Sequence, residues 1–375
     1  MQFLGGITPE NFLNDYWEKK PLLIKKAVTG IEEFANAEDL KELAFDESFE
    51  TRIVYNDDYK DFEVKQGPLE ESDFNKRKWT LACHSLNTLN KNFFELEKLV
   101  NFIPTYMFDD VMATYSNADA TIGAHIDKYN VFILQGNGSR KWELEHNPKS
   151  DYIDGIPLRI LKEFDPDIEW ILEPGDMIYI PSGTAHRGTS ITESISYSIG
   201  FKSLENQIIL EKYLIDSLEN LDTEEFLKNT NLKTQEDPSE IDSQTIDHFY
   251  NKAKEYLLIK EVFKKWFLSF LSTPKEEIEP GITYTQEDII QLSQKNIIMK
   301  DLNTRFNSYI EEEDYILSIN KNLYRITNTN YSIAKKWFSE STSESIIIKF
   351  EDLDNETWPL LIDLFKNGTL FFEEA

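Results

Sequence analysis

Thiols are almost absent from this chain: Cys83 is the only cysteine among its 375 residues. One thiol forms no internal disulfide, and a zinc site built from four thiolates is excluded. A reducing compartment, the cytoplasm, is the expected setting. Positive charge is also scarce, with 39 Lys and Arg against 68 Asp and Glu, a net charge of −29. Such a surface repels phosphate backbones, so direct nucleic-acid binding is not expected. It attracts a basic partner, and it serves solubility as well. No apolar run is long enough to cross a bilayer, so no membrane association is expected. Residues 1–8 contain no basic residue ahead of a hydrophobic stretch, which predicts no secretory signal. The chain is long enough for two or three domains, each with its own core.

The texture changes along the chain. Thr8-Pro9-Glu10 is a helix start, with a capping hydroxyl, Pro at the first helical position and an acid in the first turn. Pro21 ends that helix, and Leu22-Leu23-Ile24 reads as a short strand. Residues 30–100 mix helical and loop signals and yield no assignment. From Val111 to Phe201, short alternating or apolar runs are separated by Gly, Pro and Asn, the pattern of a small all-β sandwich or barrel. From Leu204 the chain turns helical: Ile208, Ile209, Tyr213, Leu214 and Leu218 recur at helical spacing, and amphipathic segments continue to about Phe270. Pro274 and Pro280-Gly281 mark a linker. Beyond it, Glu287 to Gln294 reads as helix, and Tyr315 to Ile319 with Tyr324 to Ile326 as a hairpin, the order of a winged-helix domain. Residues 267–375 carry 10 Lys and Arg against 19 Asp and Glu. A DNA-reading wing would be basic, so this part is expected to be structural or an interaction surface. The expected division is residues 1–203, 204–272 and 273–375.

Two of the five histidines sit in patterns that carry chemistry. In Gly123-Ala124-His125-Ile126-Asp127, strand alternation projects His125 and Asp127 to one side. In Pro174-Gly175-Asp176-Met177-Ile178-Tyr179-Ile180-Pro181-Ser182-Gly183-Thr184-Ala185-His186, a tight turn feeds a four-residue apolar strand, and a second turn aims His186. This segment matches the second cupin motif except at its last position, where Ser190 replaces Asn. Alone, the first pattern also describes a surface pair, and His186 a core histidine at a strand start. Together they supply two imidazoles and a carboxylate, a facial set that leaves coordination positions open, whereas a structural zinc site is closed by four ligands.

The turn Gln135-Gly136-Asn137-Gly138 reads as a hairpin. On the strand that follows, Arg140, Trp142 and Leu144 fall on one face and Lys141, Glu143 and Glu145 on another, taken as solvated. Arg140 therefore points inward. A buried guanidinium needs a partner, and its fork suits a carboxylate. That carboxylate is either an internal Asp or Glu or the far end of a metal-bound dicarboxylate. Thr114 shares a face with Met112 and Ser116, and Ser196 with Ser194 and Ser198. Both hydroxyls are candidates for contacting such a co-substrate or for satisfying backbone groups.

At this point the chain resembles the JmjC ribosomal oxygenases, in particular the bacterial branch that hydroxylates an arginine of the sixteenth large-subunit ribosomal protein. The likeness runs through Phe12 to Leu22, Asp109-Asp110-Val111-Met112, His125 to Phe132, Gln135 to Trp142, Pro174 to His186 and Tyr197 to Phe201. It covers the first 200 residues well and the remainder mainly by element order. The resemblance implies an α+β chain: a double-stranded β-helix of cupin/JmjC type, a helical dimerisation region and a winged-helix-like end. It implies iron(II) held by His125, Asp127 and His186, and 2-oxoglutarate held by Arg140 and lined by Thr114 and Ser196. It further implies dioxygen as the second co-substrate, a homodimer, and a basic ribosomal protein as substrate; an acidic mouth is expected to recruit that protein. Ala124 stands where proline is usual, Ser196 where asparagine is common, and Asn117 to Thr121 lacks the expected glycines, all near the substrate mouth or the co-substrate. A histidine hydroxylase, a small-molecule cupin enzyme and an inactive adaptor are the other readings.

Overall fold

Thr8 caps the first helix as expected: its hydroxyl accepts from the Asn11 amide at 3.2 Å, and α1 (Pro9–Asp15) follows. Its buried Phe12 meets Tyr179 edge-on at 4.9 Å and Phe132 at 5.4 Å, so the helix is anchored by aromatic burial rather than by its own short length. The computed structural model describes residues 4–31, 34–56, 61–76, 78–89, 91–202, 204–219, 241–257, 259–338 and 345–374. It divides into two compact units, Met1–Ser203 and Leu204–Ala375.

In the first unit the elements run β1 (Leu22–Ile24), α2 (Ala37–Phe45), β2 (Thr51–Asn56), β3 (Phe62–Gln66), β4 (Trp79–Cys83), α3 (Lys91–Lys98), β5 (Phe108–Ser116), β6 (His125–Ile126) and β7 (Asn130–Gln135). They continue with β8 (Arg140–Glu145), β9 (Ile168–Leu172), β10 (Met177–Ile180), β11 (Ala185–Ser190) and β12 (Ser194–Phe201). Eight strands form one sheet in the order β1-β10-β7-β12-β5-β4-β2-β3, and four form a second, β6-β11-β8-β9. Val131, Ile133, Ile178 and Ile180 of the first sheet pack against Trp142, Leu144 and Leu172 of the second. The opposite face of the large sheet carries the main core, where Phe132, Tyr179, Tyr197 and Phe201 meet the N-terminal helices. This is the double-stranded β-helix expected from the cupin pattern.

Three sequence expectations need correction. Residues 30–100, which gave no assignment, supply β2, β3 and β4, and these extend the large sheet. The turn after Gln135 does not close a hairpin: β7 pairs with β10 and β12, while β8 pairs with β11 and β9. The turn instead carries the chain from one sheet to the other. Gly138 has φ +65°, and a Cβ there would lie 2.0 Å from the Glu193 carbonyl oxygen, so only glycine fits. Glu143 is not solvated; it is 6% exposed and accepts from Arg187 Nε at 2.8 Å, with Lys141 Nζ at 3.1 Å.

The second unit opens with α4 (Asn206–Glu219), α5 (Ser243–Leu257) and α6 (Lys260–Leu271). Residues 220–240, within the stretch read as helical, lie outside the described residues. Then come α7 (Gln286–Leu292), β13 (Asn296–Lys300), β14 (Phe306–Glu311), β15 (Asp314–Ile319), β16 (Asn322–Thr327), α8 (Asn328–Phe338), β17 (Ser345–Ile346), α9 (Thr357–Lys366) and β18 (Leu370–Glu374). The expected hairpin is present as β15 and β16, joined by β14 in a three-stranded sheet, and a second sheet has the order β17-β13-β18. Among the described residues, no helix is long and apolar enough to cross a membrane.

Asp176 pins the turn that precedes β10. Its carboxylate accepts from Lys25 Nζ at 2.6 Å, the Lys26 amide at 3.0 Å and the Glu173 amide at 2.9 Å. Burial alone would raise this carboxyl, but the donors, Lys25 foremost, outweigh it and hold it below the ordinary carboxylate range. Its folded-state affinity for a proton is thus weaker than in the unfolded chain, so its stabilisation is full above the ordinary value of 3.8 and fades as pH falls below it. Asp176→Ala is expected to cost about 2–4 kcal/mol at pH 7. In denaturant titrations across pH, the gap to wild type should narrow below about pH 4; a gap independent of pH would assign the loss to packing instead.

Candidate active site

The two histidines meet because β6 and β11 are paired with His125 directly opposite His186. Asp127 lies just beyond β6. His186 Nε2 is 3.6 Å and His125 Nε2 3.9 Å from Asp127 Oδ2, and the imidazole rings are 4.3 Å apart. Two donors bonded to one ion at about 2.1 Å lie at most about 4.2 Å apart, so both distances suit a shared cation. Among the described residues, this is the one group of three or more His, Cys, Asp or Glu side chains whose donor atoms converge in this way.

The backbone sets the imidazoles for that task. His125 Nδ1 lies 3.0 Å from the Gly123 carbonyl and His186 Nδ1 3.1 Å from the Thr184 carbonyl. A carbonyl only accepts, so Nδ1 donates in each ring, and in the neutral tautomer Nε2 presents its lone pair toward Asp127. Burial, with His125 alongside, pushes His186 down to about 4, so it is neutral at pH 7. Trp142 lies against His186, ring centroids 6.0 Å apart. Opposite it on β11 stands Gly188, where a Cβ would come within 2.9–3.1 Å of the Trp142 ring, so a larger residue would displace that ring.

Arg140 is 5% exposed, as the alternation predicts, but among the described residues no carboxylate pairs with it. Its Nη1 donates to Thr114 Oγ1 at 2.8 Å, and its Nη2 to Ser116 Oγ at 2.9 Å and Ser194 Oγ at 3.2 Å. Its Nε has no partner among the described residues. Burial lowers this guanidinium to about 10, which still leaves it charged at neutral pH. A buried cation met only by hydroxyls and offering a spare N–H fits a carboxylate ligand. The donor set therefore fits a metal ion, and the guanidinium fits a metal-bound dicarboxylate.

The triad, Arg140, Thr114, Trp142 and Tyr129 line one cavity of about 270 Å³. Burial, with the Asp127 carboxylate beside it, pushes the Tyr129 hydroxyl up, so it keeps its proton. Thr114 is where the sequence placed it, but its hydroxyl already accepts from Arg140. Ser196 does not line this cavity; it is fully buried, and its hydroxyl donates to Gln135 Oε1 at 2.9 Å. Ser198, two residues further along β12, lines the cavity instead. Ser116 and Ser194 had been noted only as neighbours on their strand faces, yet they hold Arg140. Ser116 in turn donates to Thr80 Oγ1, and Ser194 shares a hydrogen bond with Ser190, the residue that replaces Asn in the cupin motif. The lining is not acidic either. It contains Arg52, Arg140 and Arg159, and among the described residues Asp127 is its only carboxylate.

The model of the JmjC domain matches residues 95–208, the stretch that holds all three converging ligands and Arg140. Over those residues the chain is similar to a JmjC domain. Around them the likeness extends further. The chain is 26% identical to the ribosomal protein uL16 3-hydroxylase of Escherichia coli strain K12, over 80% of this chain and 82% of the relative. It is 34% identical to a probable ribosomal oxygenase of Haemophilus influenzae, over 52% of this chain and 50% of that protein. The fold of the Escherichia coli protein ycfD superposes with a TM-score of 0.84 at 23% identity, over 98% of this chain and 99% of the other. A structure of that ribosomal oxygenase in complex with cobalt and 2-oxoglutarate superposes with a TM-score of 0.80, also at 23% identity and over 98% of this chain and 99% of the other.

Arg140→Met tests how the buried cation is held. Removing a charge that has no counter-ion, while keeping similar volume, is expected to leave the unliganded protein as stable as wild type or more so by about 1–3 kcal/mol. A loss of more than about 2 kcal/mol in thermal or chemical denaturation would show instead that the three hydroxyl contacts outweigh desolvation.

Proposed function

We propose that this protein is an iron(II)- and 2-oxoglutarate-dependent oxygenase that hydroxylates a ribosomal protein, with an arginine of uL16 as the first candidate target. One observation carries the reading: His125, Asp127 and His186 converge in the cavity that also holds a charged, buried Arg140 with no carboxylate of its own. A dicarboxylate answers both ends of that arrangement. In this reading the triad holds the metal, Arg140 holds the distal carboxylate, and Thr114 orients Arg140. Ser196 supports the Gln135 side chain next to the sheet crossing rather than touching ligand.

Iron(II) so held, with 2-oxoglutarate and dioxygen, supplies the oxidation that places one oxygen atom in a C–H bond and releases succinate and carbon dioxide. The chain's own residues provide the setting. The Gly123 and Thr184 carbonyls accept from Nδ1 of the two imidazoles, which turns Nε2 of each ring toward the cation. Tyr129 stands beside Asp127 as a protonated hydroxyl within the same cavity. Trp142, Val131 and Ile133 give the cavity an apolar wall that keeps water from the reacting carbon. The protein directs where the oxygen goes, and the cofactors do the oxidation.

The reading is tested by incubating the protein with iron(II), ascorbate, 2-oxoglutarate and peptides from basic ribosomal proteins. The expected product is a peptide heavier by one oxygen atom, on an arginine of uL16, with succinate in matching amount. His125→Ala and His186→Ala should lose turnover by at least about a thousandfold, and Arg140→Lys should raise KM for 2-oxoglutarate about ten- to a hundredfold, since a point cation cannot reproduce the fork. Modification of a histidine instead would move the target while keeping the chemistry. Absence of succinate from every reaction would return the chain to an adaptor or another cupin activity.

The same reading includes a cytoplasmic homodimer formed through residues 204–272, with residues 273–375 as a separate acidic domain. Its support is the apolar surface of the helices: Leu210 and Leu218 on α4 are 58% and 57% exposed, and Ile246 and Tyr250 on α5 58% and 62%. Surfaces of this kind mark association sites. The double variant Leu210→Glu/Leu218→Glu is expected to run as a monomer in light-scattering chromatography where wild type runs as a dimer. Equal masses for the two proteins would remove α4 from the interface.

A further inference from the structure

The cavity is rich in arginine although the chain as a whole is acidic. On the oxygenase reading, the charges of a divalent ion, Asp127, a bound dicarboxylate and Arg140 cancel. Arg52 and Arg159 are then left over. Arg159 is exposed and lies over the Tyr152 ring, 4.4 Å from its centroid. Arg52 is half-buried, and among the described residues no hydrogen bond or ion pair engages it.

Its direction is set by register. On β2, Ile53 and Tyr55 enter the main core, so Arg52 and Val54 face the cavity. Arg52 pairs with Ala82 on β4, and Ala82 with Thr114 on β5. In that cross-strand row only the Ala82 methyl separates Arg52 from the hydroxyl that holds Arg140, and the small side chain leaves the guanidinium free above the sheet. Arg52 also sits near enough to Tyr129 for its charge to act on that hydroxyl, beside the metal ligand Asp127. A cation with no structural partner, held toward the cavity by a buried strand, is placed to meet a ligand that arrives from outside. The co-substrate does not fill that role, because Arg140 and its three hydroxyls already serve its carboxylate.

We propose that Arg52 is a positioning residue for the substrate, donating to an oxygen acceptor, a main-chain carbonyl or a carboxylate, on the peptide segment that carries the target residue. The proposal rests on the protein-hydroxylase reading above. It separates two electrostatic roles: the acidic exterior draws in a basic polypeptide, and Arg52 fixes the register of the segment once it has entered.

The test is peptide binding without turnover. Full-length protein loaded with iron(II) and 2-oxoglutarate is kept free of oxygen, and the affinity of a fluorescent peptide from a basic ribosomal protein is read by anisotropy for wild type, Arg52→Gln and Arg52→Lys. Arg52→Gln is expected to weaken peptide binding about tenfold, with Arg52→Lys recovering part of the loss, while the calorimetric affinity for 2-oxoglutarate stays at the wild-type value. In aerobic turnover the loss should appear in KM for the peptide rather than in kcat. Replacing acidic residues of the peptide by their amides identifies the acceptor: if the Arg52 dependence vanishes it is a side-chain carboxylate, and if it persists it is a carbonyl. Equal peptide affinities for wild type and Arg52→Gln, including no binding by either, overturn the proposal, as does a loss confined to 2-oxoglutarate. Failure of the oxygenase reading shows separately, as wild-type protein that yields no succinate.

Discussion

A guanidinium closed off from water, still charged and met only by hydroxyl groups, is the constraint around which the first unit is arranged. Removing a cation from water costs several kcal/mol, and neutral hydrogen bonds return about 1 kcal/mol each. Thr114, Ser116 and Ser194 thus soften the cost of Arg140 without cancelling it, and the pull of its pKa down to about 10 is the visible residue of that imbalance. The surroundings show how the chain tolerates the strain. Thr80 and Ser190 hold Ser116 and Ser194 in turn, so the hydroxyls come from β4, β5, β11 and β12, and the guanidinium reaches them from β8. A ligand carboxylate would complete the set, which makes the instability of the empty site the other side of its affinity for an anion.

That arrangement depends on the two sheets being different objects. Arg140 stands on the small sheet and its hydroxyl partners Thr114 and Ser116 on the large one, so the side chain spans the sandwich. It begins at the first residue of β8, two residues past Gly138, where only glycine can bring the chain past the Glu193 carbonyl. The converging histidines lie at the other end of the small sheet, where β11 pairs with the two residues of β6. Strand β11 therefore holds both ends of the site: His186 near its start and Ser190, through Ser194, at its close. A dicarboxylate needs two fixed ends, and one four-stranded sheet supplies them.

Much of this was legible in the sequence for identifiable reasons. The Pro174 to His186 segment reads well because its turns need particular residues, and β10 appears where the apolar run places it. His125 and Asp127 read as a pair because alternation along two residues is hard to mistake. The inward direction of Arg140 followed from its apolar neighbours Trp142 and Leu144. What failed was pairing between strands. Gln135-Gly136-Asn137-Gly138 has the composition of a hairpin turn, and no local signal separates a hairpin from a crossing between sheets. Glu143 reads as solvated until its register partner on β11 is known to be Arg187. Ser196 shares its face with Ser194 and Ser198, and only the position of Gln135 across the sheet decides which of the three touches the cavity and which is tied away from it. Strands β2 to β4 escaped notice because they share no pattern: β2 carries Arg52 on its cavity face, β3 alternates over only five residues, and β4 is buried throughout and does not alternate.

Charge is where whole-chain reasoning and site geometry part most clearly. A net charge of −29 describes the field a partner meets at a distance, and that field is screened within about 8 Å at physiological salt. Inside a cavity of about 270 Å³ the relevant charges are those on its wall, and these are mostly positive. The two facts do not conflict, because they act on different steps. Long-range attraction raises the rate at which a basic polypeptide arrives, whatever its sequence. The wall then selects by contact, and a wall whose described residues include three arginines and one carboxylate, itself set between two histidines, does not hold a cationic side chain by charge. A target arginine in this cavity would have to be positioned through its aliphatic stem, along Val131, Ile133 and Met112, and through acceptors that the arginines of the wall engage elsewhere on the same peptide. Selectivity for one residue in a basic protein full of similar ones then comes from the shape and main chain of the segment around it, which is what a hydroxylase confronted with many chemically equivalent side chains requires.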